Sequence, residues 1–253
     1  MPEKWSSVWI TGASSGIGLE LAKLLDGRVE HIAISARSAD KLREAERAGK
    51  NLAAYPLDVT DEKAVSACVE DIEAAAGPID LAVLNAGVWF PMEVEDFNLA
   101  HVRTSNDVNY MGVMNALAAL LPRMIERRRG HIAIVASVAG YRGLPKSLAY
   151  GPTKAALINV AEALKAELRP YGITVSVVNP GFVATPMTES NDFPMPGIVS
   201  VDEAARVTLA GLEAGRYEIA FPKLFVLGMK ALRRMPNALF FWVVRTFIMK
   251  KDG

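Results

Sequence analysis

The stretch SVWITGASSGIG, residues 7–18, decides the fold of this chain. Ser7 to Thr11 is a short apolar run typical of a buried strand, and glycines follow at positions 12, 16 and 18. The next segment, LELAKLLDG, has the apolar spacing of a helix. A strand, a glycine-rich turn and a helix together predict a dinucleotide site, because glycine lets the backbone approach a pyrophosphate and a helix N-terminus offers free N–H groups. Such a turn alone can also serve packing only.

Strand-like and helical segments alternate along the rest of the chain. Strands that alternate with helices at this spacing predict a Rossmann-type α/β fold, a doubly wound parallel sheet of about seven strands with helices on both faces. We expect Thr60 to cap the third helix. The further predicted strands are 31–35, 52–57, 80–84, 131–136, 174–178 and 217–221, and the helices after them include 39–49, 61–77, 100–124, 155–168 and 202–214.

Composition limits the classes of function. The chain has 253 residues, 51% of them hydrophobic, and a formal net charge of zero, which argues against a protein that binds nucleic acid through general basicity. The single cysteine, Cys68, excludes an internal disulfide and suits a reducing compartment. With no signal-like start and no long uncharged apolar segment, we expect a cytoplasmic protein. The three histidines lack metal-ligand spacing, so we expect no metal; His31 and His131 open strands and are predicted to be solvated.

The end of the second predicted strand bears on the choice of cofactor. Dinucleotide sites usually place a carboxylate there, on the adenosine ribose. Here Ala36 is followed by Arg37, whose planar guanidinium suits a phosphate. The sequence therefore favours NADP(H) over NAD(H), unless Arg37 is only a solvated residue at the start of a helix.

Tyr150 and Lys154, in the segment YGPTK, come directly before the helical run AALINVAEALKAEL. Residues four apart share one face of a helix. A phenol titrates near ~10, and a positive charge beside it favours the phenolate and lowers its pKa. Tyr150 could therefore serve as a general acid or base near neutral pH. The pair alone could equally be a half-buried tyrosine beside a solvated lysine.

Taken in order, the motifs resemble those of the short-chain dehydrogenase/reductase family in its compact single-domain branch. The resemblance covers the chain to about Phe221. It rests on TGASSGIG (11–18), DV (58–59), NAG (85–87), Asn109, Ser137, YGPTK (150–154) and NPGFVAT (179–185).

The resemblance implies a role for each of these motifs. Tyr150 exchanges the proton with the substrate, Lys154 lowers the pKa of the tyrosine and binds the nicotinamide ribose, Ser137 holds the substrate oxygen, and Asn109 holds a water that links Lys154 to solvent. The remaining motif residues bind the cofactor. Together with Tyr150 and Lys154 they are Gly12, Ser14, Ser15, Gly16, Ile17, Gly18, Arg37, Asp58, Val59, Asn85, Ala86, Gly87, Pro180, Gly181, Val183 and Thr185.

The resemblance implies hydride transfer between the cofactor and a carbonyl or alcohol substrate. An NAD-linked alcohol dehydrogenase and a non-catalytic, cofactor-binding regulatory protein are the alternatives, and a complete catalytic set argues against the second. Residues 182–201 are expected to form a lid over the site. Apolar side chains of the lid and nearby loops suggest an apolar substrate: Phe182, Met187, Phe193, Met195, Trp89, Phe90 and Tyr141.

The last part of the chain, 222–253, is predicted to be a helical tail outside a single catalytic domain at 1–221. From Phe221 to Lys251 it has seven basic residues, no acidic residue and several aromatic ones, and Pro236 divides it into two helical pieces. Such a tail could pack on its own domain, contact a second copy in a homodimer or homotetramer, or lie on a membrane surface. Neither piece is long enough to span a bilayer.

Overall fold

A computed structural model describes residues 5–189 and 191–249. Its seven strands form one parallel sheet in the order β3-β2-β1-β4-β5-β6-β7. The strands are β1 Ser7–Thr11, β2 His31–Ala36, β3 Leu52–Pro56, β4 Leu81–Leu84, β5 His131–Val135, β6 Thr174–Pro180 and β7 Glu218–Phe221. The helices are α1 Gly16–Leu25, α2 Ala39–Ala48, α3 Glu62–Ala76, α4 Leu99–Ser105, α5 Gly112–Arg127, α6 Gly151–Glu167, α7 Val201–Glu213, α8 Lys223–Arg234 and α9 Asn237–Val243.

Hydrophobic cores lie on both faces of the sheet. Trp9 of β1 belongs to the core that also contains residues of α3, α5 and α6. Its neighbours Val8 and Ile10 belong to the other core, with residues of α1, α2 and α7. Because successive side chains of a strand point to opposite faces, this alternation places helices on both sides of the sheet. The predicted doubly wound parallel fold is confirmed.

Two local predictions were wrong. The N-cap of α3 is Asp61, whose carboxylate accepts a hydrogen bond from the N–H of Ala64 at 3.0 Å, whereas the Thr60 hydroxyl donates to Asp58 at 2.8 Å. His131 is buried, because β5 pairs with a strand on each side, and its Nε2 lies 2.8 Å from the hydroxyl of Ser176. His31 is exposed, as expected.

The helix predicted over 100–124 is interrupted. The helix α4 is followed by a π-helical segment, Asn106–Met111, before α5 begins at Gly112. A Cβ on Gly112 would lie 2.6 Å from a methyl carbon of Val59, so glycine allows α5 to lie close to the segment after β3. Single-turn π segments are frequent at functional sites, and this one contains Asn109.

The order of the strands determines where a ligand can bind. The neighbours β1 and β4 are not consecutive in sequence, and the helices that follow them lie on opposite faces, so a crevice opens at their carboxyl ends. Among the described residues, no helix combines the length and hydrophobicity needed to cross a membrane.

Candidate active site

A cleft of about 360 Å³ lies across the carboxyl ends of the strands. Of the predicted site residues, Gly18 and Asn109 do not line it. All the others do: Gly12, Ser14, Ser15, Gly16, Ile17, Arg37, Asp58, Val59, Asn85, Ala86, Gly87, Ser137, Tyr150, Lys154, Pro180, Gly181, Val183 and Thr185.

The glycine turn after β1 has a conformation that requires glycine. The φ angles of Gly12 and Gly16 are +67° and +58°, in the left-handed region that other residues rarely adopt. A Cβ on Gly12 would lie 2.7 Å from the Cα of Ala86, and a Cβ on Gly18 would lie 2.6 Å from the amide nitrogen of the Asn85 side chain. Gly18 therefore allows α1 to pack closely on the segment after β4, while Gly12 and Gly16 line the cleft.

Thr11 and Asn85 join the ends of β1 and β4. The Thr11 hydroxyl accepts hydrogen bonds from the backbone N–H groups of Asn85 at 3.0 Å and Ala86 at 3.1 Å. The Asn85 side chain donates to the carbonyls of Thr11 and Gly12 at 3.0 and 3.1 Å. Thr11 is the first residue of the TGASSGIG motif, but the motif alone does not indicate this contact.

The end of β2 forms the far part of the cleft. Arg37 is exposed there and lies near Asp58. Hydrogen bonds from Thr60, and then the charge of Arg37, outweigh burial and lower the pKa of Asp58. The guanidinium of Arg37 has no hydrogen-bond partner within the described part of the chain, so its donors can face a ligand.

These features fit a dinucleotide. Residues at the start of α1 line the cleft, where the helix N-terminus presents backbone N–H groups and the positive end of its dipole to a pyrophosphate. A Cβ at Gly12 would collide with the backbone of Ala86, so only glycine lets this turn lie against the segment after β4 at the cleft.

Tyr150, Lys154 and Ser137 converge in the part of the cleft beside β5. Tyr150 immediately precedes α6, and Lys154 lies in the first turn of that helix. The Lys154 ammonium donates to the carbonyl of Val135 at 2.8 Å and lies 5.4 Å from the centre of the Tyr150 ring. The Ser137 hydroxyl donates to the carbonyl of Pro180 at 3.3 Å and accepts from the N–H of Ala139 at 3.1 Å.

In the protein alone, burial is the main cause of the pKa shifts of Tyr150 and Lys154. It raises the pKa of Tyr150 to about 12, against a smaller lowering effect of a hydrogen bond with Ser137. It lowers the pKa of Lys154 to about 8, because the charged ammonium is removed from water. The expected lowering of the tyrosine pKa is therefore absent in the protein alone, where desolvation has the largest effect on Tyr150.

Asn109 lies behind the cleft, fully buried. Its side-chain oxygen accepts from the N–H of Val88 at 2.7 Å, and its amide group donates to the carbonyl of Val88 at 3.0 Å and to Thr153 at 3.2 Å. A Cβ built on Gly87 would lie 3.3 Å from the Asn109 oxygen and 3.7 Å from the Lys154 nitrogen, so both atoms approach the same point. Asn109 thus connects the segment after β4 to α6.

Trp89 connects Tyr150 to the lid. The two rings meet edge to face, with centroids 5.1 Å apart, and the indole N–H donates to the Asn191 side chain at 2.9 Å. Of the other aromatic residues predicted near the substrate, Tyr141 is buried and its hydroxyl donates to Glu218 at 2.5 Å, whereas Phe90 stacks on His101 at 4.4 Å.

Several cleft residues were missed by the sequence analysis. The hydroxyl of Thr188 donates to the carbonyl of Val183 at 2.7 Å and accepts from the N–H of Thr185 at 3.1 Å, which holds the start of the lid. No spacing rule marks such a residue, because its role depends on the turn of the lid. The other missed lining residues are Ala36, Ser38, Leu57, Val88, Val108, Val135, Ala136 and Pro186, whereas Met187 lines the cleft as expected of an apolar lid residue.

Comparisons with known proteins agree with this geometry. A model of the short chain dehydrogenase family matches residues 6–194. Over 235 residues the chain is 36% identical to an uncharacterized oxidoreductase of Myxococcus xanthus, with 91% of this chain and 93% of that protein covered. It is 33% identical to the 3-dehydrosphinganine reductase TSC10B of Arabidopsis thaliana, with 98% and 80% covered. A solved short chain dehydrogenase of Burkholderia cenocepacia in complex with NADP has a TM-score of 0.83 at 25% identity, with 94% and 97% covered.

Proposed function

The chain belongs to the short-chain dehydrogenase family of oxidoreductases, and from that premise we propose that it transfers a hydride between NADP(H) and the carbonyl or alcohol group of an apolar substrate. The observation that carries the proposal is the convergence of Ser137, Tyr150 and Lys154 in a cleft whose other end is a glycine turn.

Each residue of the set has a chemical task. The cofactor, when bound, supplies or accepts the hydride. Ser137 orients the substrate oxygen by a hydrogen bond, and Tyr150 gives that oxygen a proton in reduction or removes one in oxidation. Lys154, held by the Val135 carbonyl, supplies positive charge near the phenol and binds the nicotinamide ribose. Asn109 carries the proton path from Lys154 towards solvent.

The remaining cleft residues would hold the cofactor. The turn at 12–18 takes the pyrophosphate, Asp58 and Val59 take the adenine, and residues 85–87 take the adenosine side. Pro180, Gly181, Val183 and Thr185 take the nicotinamide end. This assignment is the one implied by the family motifs, and it is supported by the presence of all these residues except Ala13 and Gly18 in the lining of the cleft.

Arg37 supports NADP(H) as the cofactor. It stands where a ribose-binding carboxylate would otherwise stand, and no hydrogen bond within the described residues occupies its guanidinium. An NAD-linked alcohol dehydrogenase is the alternative, and Asp58 is the acidic residue nearest to this position that lines the cleft.

Apolar lid residues support a lipophilic substrate. Met187 lines the cleft, and the ring centroids of Phe182 and Phe193 lie 6.1 Å apart in the lid. One relative is named a 3-dehydrosphinganine reductase.

A panel of ketones and aldehydes, followed by the absorbance of NADPH, tests the proposed function. Apolar carbonyl compounds should be reduced, and Ser137→Ala should lower kcat about 100-fold or more, because an aimed hydrogen bond in the transition state contributes on the order of 10²–10³ in rate. A protein that binds NADPH tightly but reduces no member of the panel in either direction would support the regulatory alternative.

Assembly and location follow as further proposals. We expect a cytoplasmic homodimer or homotetramer that contacts its copies through the helices carrying Asn109 and Tyr150. The tail at 222–253 remains a separate segment in this proposal, with Lys250 and Lys251 outside the described residues. Burial of Val226 and Met229 supports packing on its own domain, while exposed Phe241, Trp242 and Phe247 support contact with a second copy or a membrane surface.

A further inference from the structure

A second apolar cavity lies between the lid and α8, outside the catalytic cleft. It encloses about 630 Å³, within the range of small-molecule sites. Pro196 and Gly197 of the lid form one wall, and Leu224 and Gly228 of α8 contribute to the other, together with Met235 directly after that helix. All of its lining residues are apolar or glycine. The lining therefore offers no charged group to a headgroup or a phosphate, and it suits a hydrocarbon.

One aromatic ring separates this cavity from the catalytic cleft. Phe225 lines the cavity, and a Cβ on Gly181, a cleft residue, would lie 2.8 Å from the Phe225 ring. Phe182, which directly follows Gly181, has its ring centroid 5.6 Å from that of Phe225 and 6.1 Å from that of Phe193. A cluster of three aromatic rings therefore lies between the nicotinamide end of the cleft and α8.

The wall formed by α8 leaves room for a ligand. A Cβ on Gly228 would meet no atom within 4 Å, although glycine is less favourable in a helix than alanine. Leu224, one turn before it, is 82% exposed. An apolar surface of this kind is expected to be covered by a ligand or partner.

We propose that the groove formed by Pro196, Gly197, Leu224, Phe225, Gly228 and Met235 binds the unbranched aliphatic chain of the carbonyl substrate. The inference rests on the proposed function, because the carbonyl must lie at Tyr150 while its chain extends over Phe225. The groove lies next to the nicotinamide end of the cleft, with only Phe225 between them, and this position favours a substrate chain over a lipid surface or a second copy. Each methylene that enters the groove should tighten binding about fourfold, which corresponds to about 0.8 kcal/mol.

The test uses the full chain and the series 2-hexanone, 2-octanone, 2-decanone and 2-dodecanone. Dissociation constants are measured by calorimetry, separately from turnover with NADPH. The wild type should bind 2-dodecanone at least tenfold more tightly than 2-octanone. The variant Gly228→Trp, which fills the groove, should lose this difference and still bind 2-hexanone like the wild type.

Matched variants control for the added ring. Leu227→Trp lies on the same helix, is 65% exposed in the wild type and does not line the groove, so it should keep the chain-length dependence. Gly228→Leu also fills the groove, with a smaller side chain than tryptophan. Unchanged NADPH binding shows that each variant is folded.

Equal chain-length dependence in Gly228→Trp and the wild type overturns the proposal, as does a wild type that binds all four ketones alike. If Gly228→Trp changes only binding to anionic vesicles, the groove contacts a membrane and the proposal is overturned. If it changes only the oligomeric state, the groove contacts a second copy and the proposal is likewise overturned. If the ketones bind with the expected dependence but are never reduced, the proposed function fails while the groove assignment stands.

Discussion

At the scale of single residues, burial determines the chemistry of the site. Tyr150 and Lys154 are brought together as their spacing predicts, yet burial moves their pKa values in opposite directions, to about 12 and about 8. The protein alone therefore holds a protonated phenol. A proton held at Tyr150 suits the carbonyl reduction that we propose, in which Tyr150 would act as the acid. Oxidation would need additional positive charge near the ring.

Replacement of Arg37 by alanine should weaken NADPH binding. Loss of a charge-assisted hydrogen bond to the phosphate costs about 1.5–3 kcal/mol, which is roughly 10- to 150-fold in the dissociation constant. NADH binding should change little. Fluorescence titration of both cofactors measures this, with Arg43→Ala, an exposed arginine of α2 that does not line the cleft, as the control. Equal loss for the two cofactors would argue against a 2′-phosphate site.

His131 should make the protein sensitive to acid. Burial lowers its pKa to about 4, whereas an unfolded chain would titrate it near 6.5. Between these values the unfolded state binds the extra proton, so the contribution of His131 to stability is complete above pH 6.5 and is lost as the pH falls towards 4. The loss amounts to about 3 kcal/mol. Urea unfolding of His131→Gln should show a shallower decline over that window than the wild type, and an identical decline would contradict the burial argument.

At the scale of elements, the turn between β1 and α1 depends on contact as well as on backbone conformation. Gly12 and Gly27 have similar φ angles, +67° and +73°, but only a Cβ on Gly12 would collide with a neighbour; around Gly27 there is open space. Gly27→Ala should therefore cost about 1 kcal/mol for the left-handed conformation alone. Gly12→Ala should cost more and also weaken cofactor binding. Thermal unfolding and NADPH titration of both variants check this, and equal losses would show that the contact with Ala86 is unimportant.

The end of α8 depends on a single side chain from another loop. Arg142 donates to the carbonyls of Leu232, Arg233 and Met235 at 2.8–3.2 Å, and its guanidinium lies 4.1 Å from the centre of the Phe240 ring. These bonds satisfy carbonyls that a helix end leaves without partners.

Arg142→Ala should loosen α8 and α9. Hydrogen exchange of residues 223–243 should become at least tenfold faster, since hydrogen bonds to a charged group each contribute about 1.5–3 kcal/mol. Exchange in β1 should not change. The control is Arg206→Ala, which removes an exposed ion pair with Asp202 on α7. If hydrogen exchange in α8 is as slow in Arg142→Ala as in the control, contacts other than those of Arg142 hold the tail.

At the scale of the whole molecule, the architecture was predictable because its signals are local. The predicted bounds of β1 agree with the structure, and the other strands differ by one or two residues at an end. Features that depend on distant contacts were missed. The π-helical segment contains Asn109, whose side chain forms hydrogen bonds with Val88 and Thr153. The burial of His131 follows from the position of β5 inside the sheet. The groove beside α8 requires the lid and the tail to meet, which no sequence pattern indicates.

The central claim is that a fold built around a dinucleotide cleft uses Tyr150 as its acid and base. Comparison of Tyr150→Phe with the wild type tests it most directly, by measuring NADPH-dependent reduction of an apolar ketone together with NADPH binding. We expect kcat to fall at least about 100-fold, because a general acid is lost, while the dissociation constant of NADPH stays within about threefold. Undiminished turnover in Tyr150→Phe would contradict it.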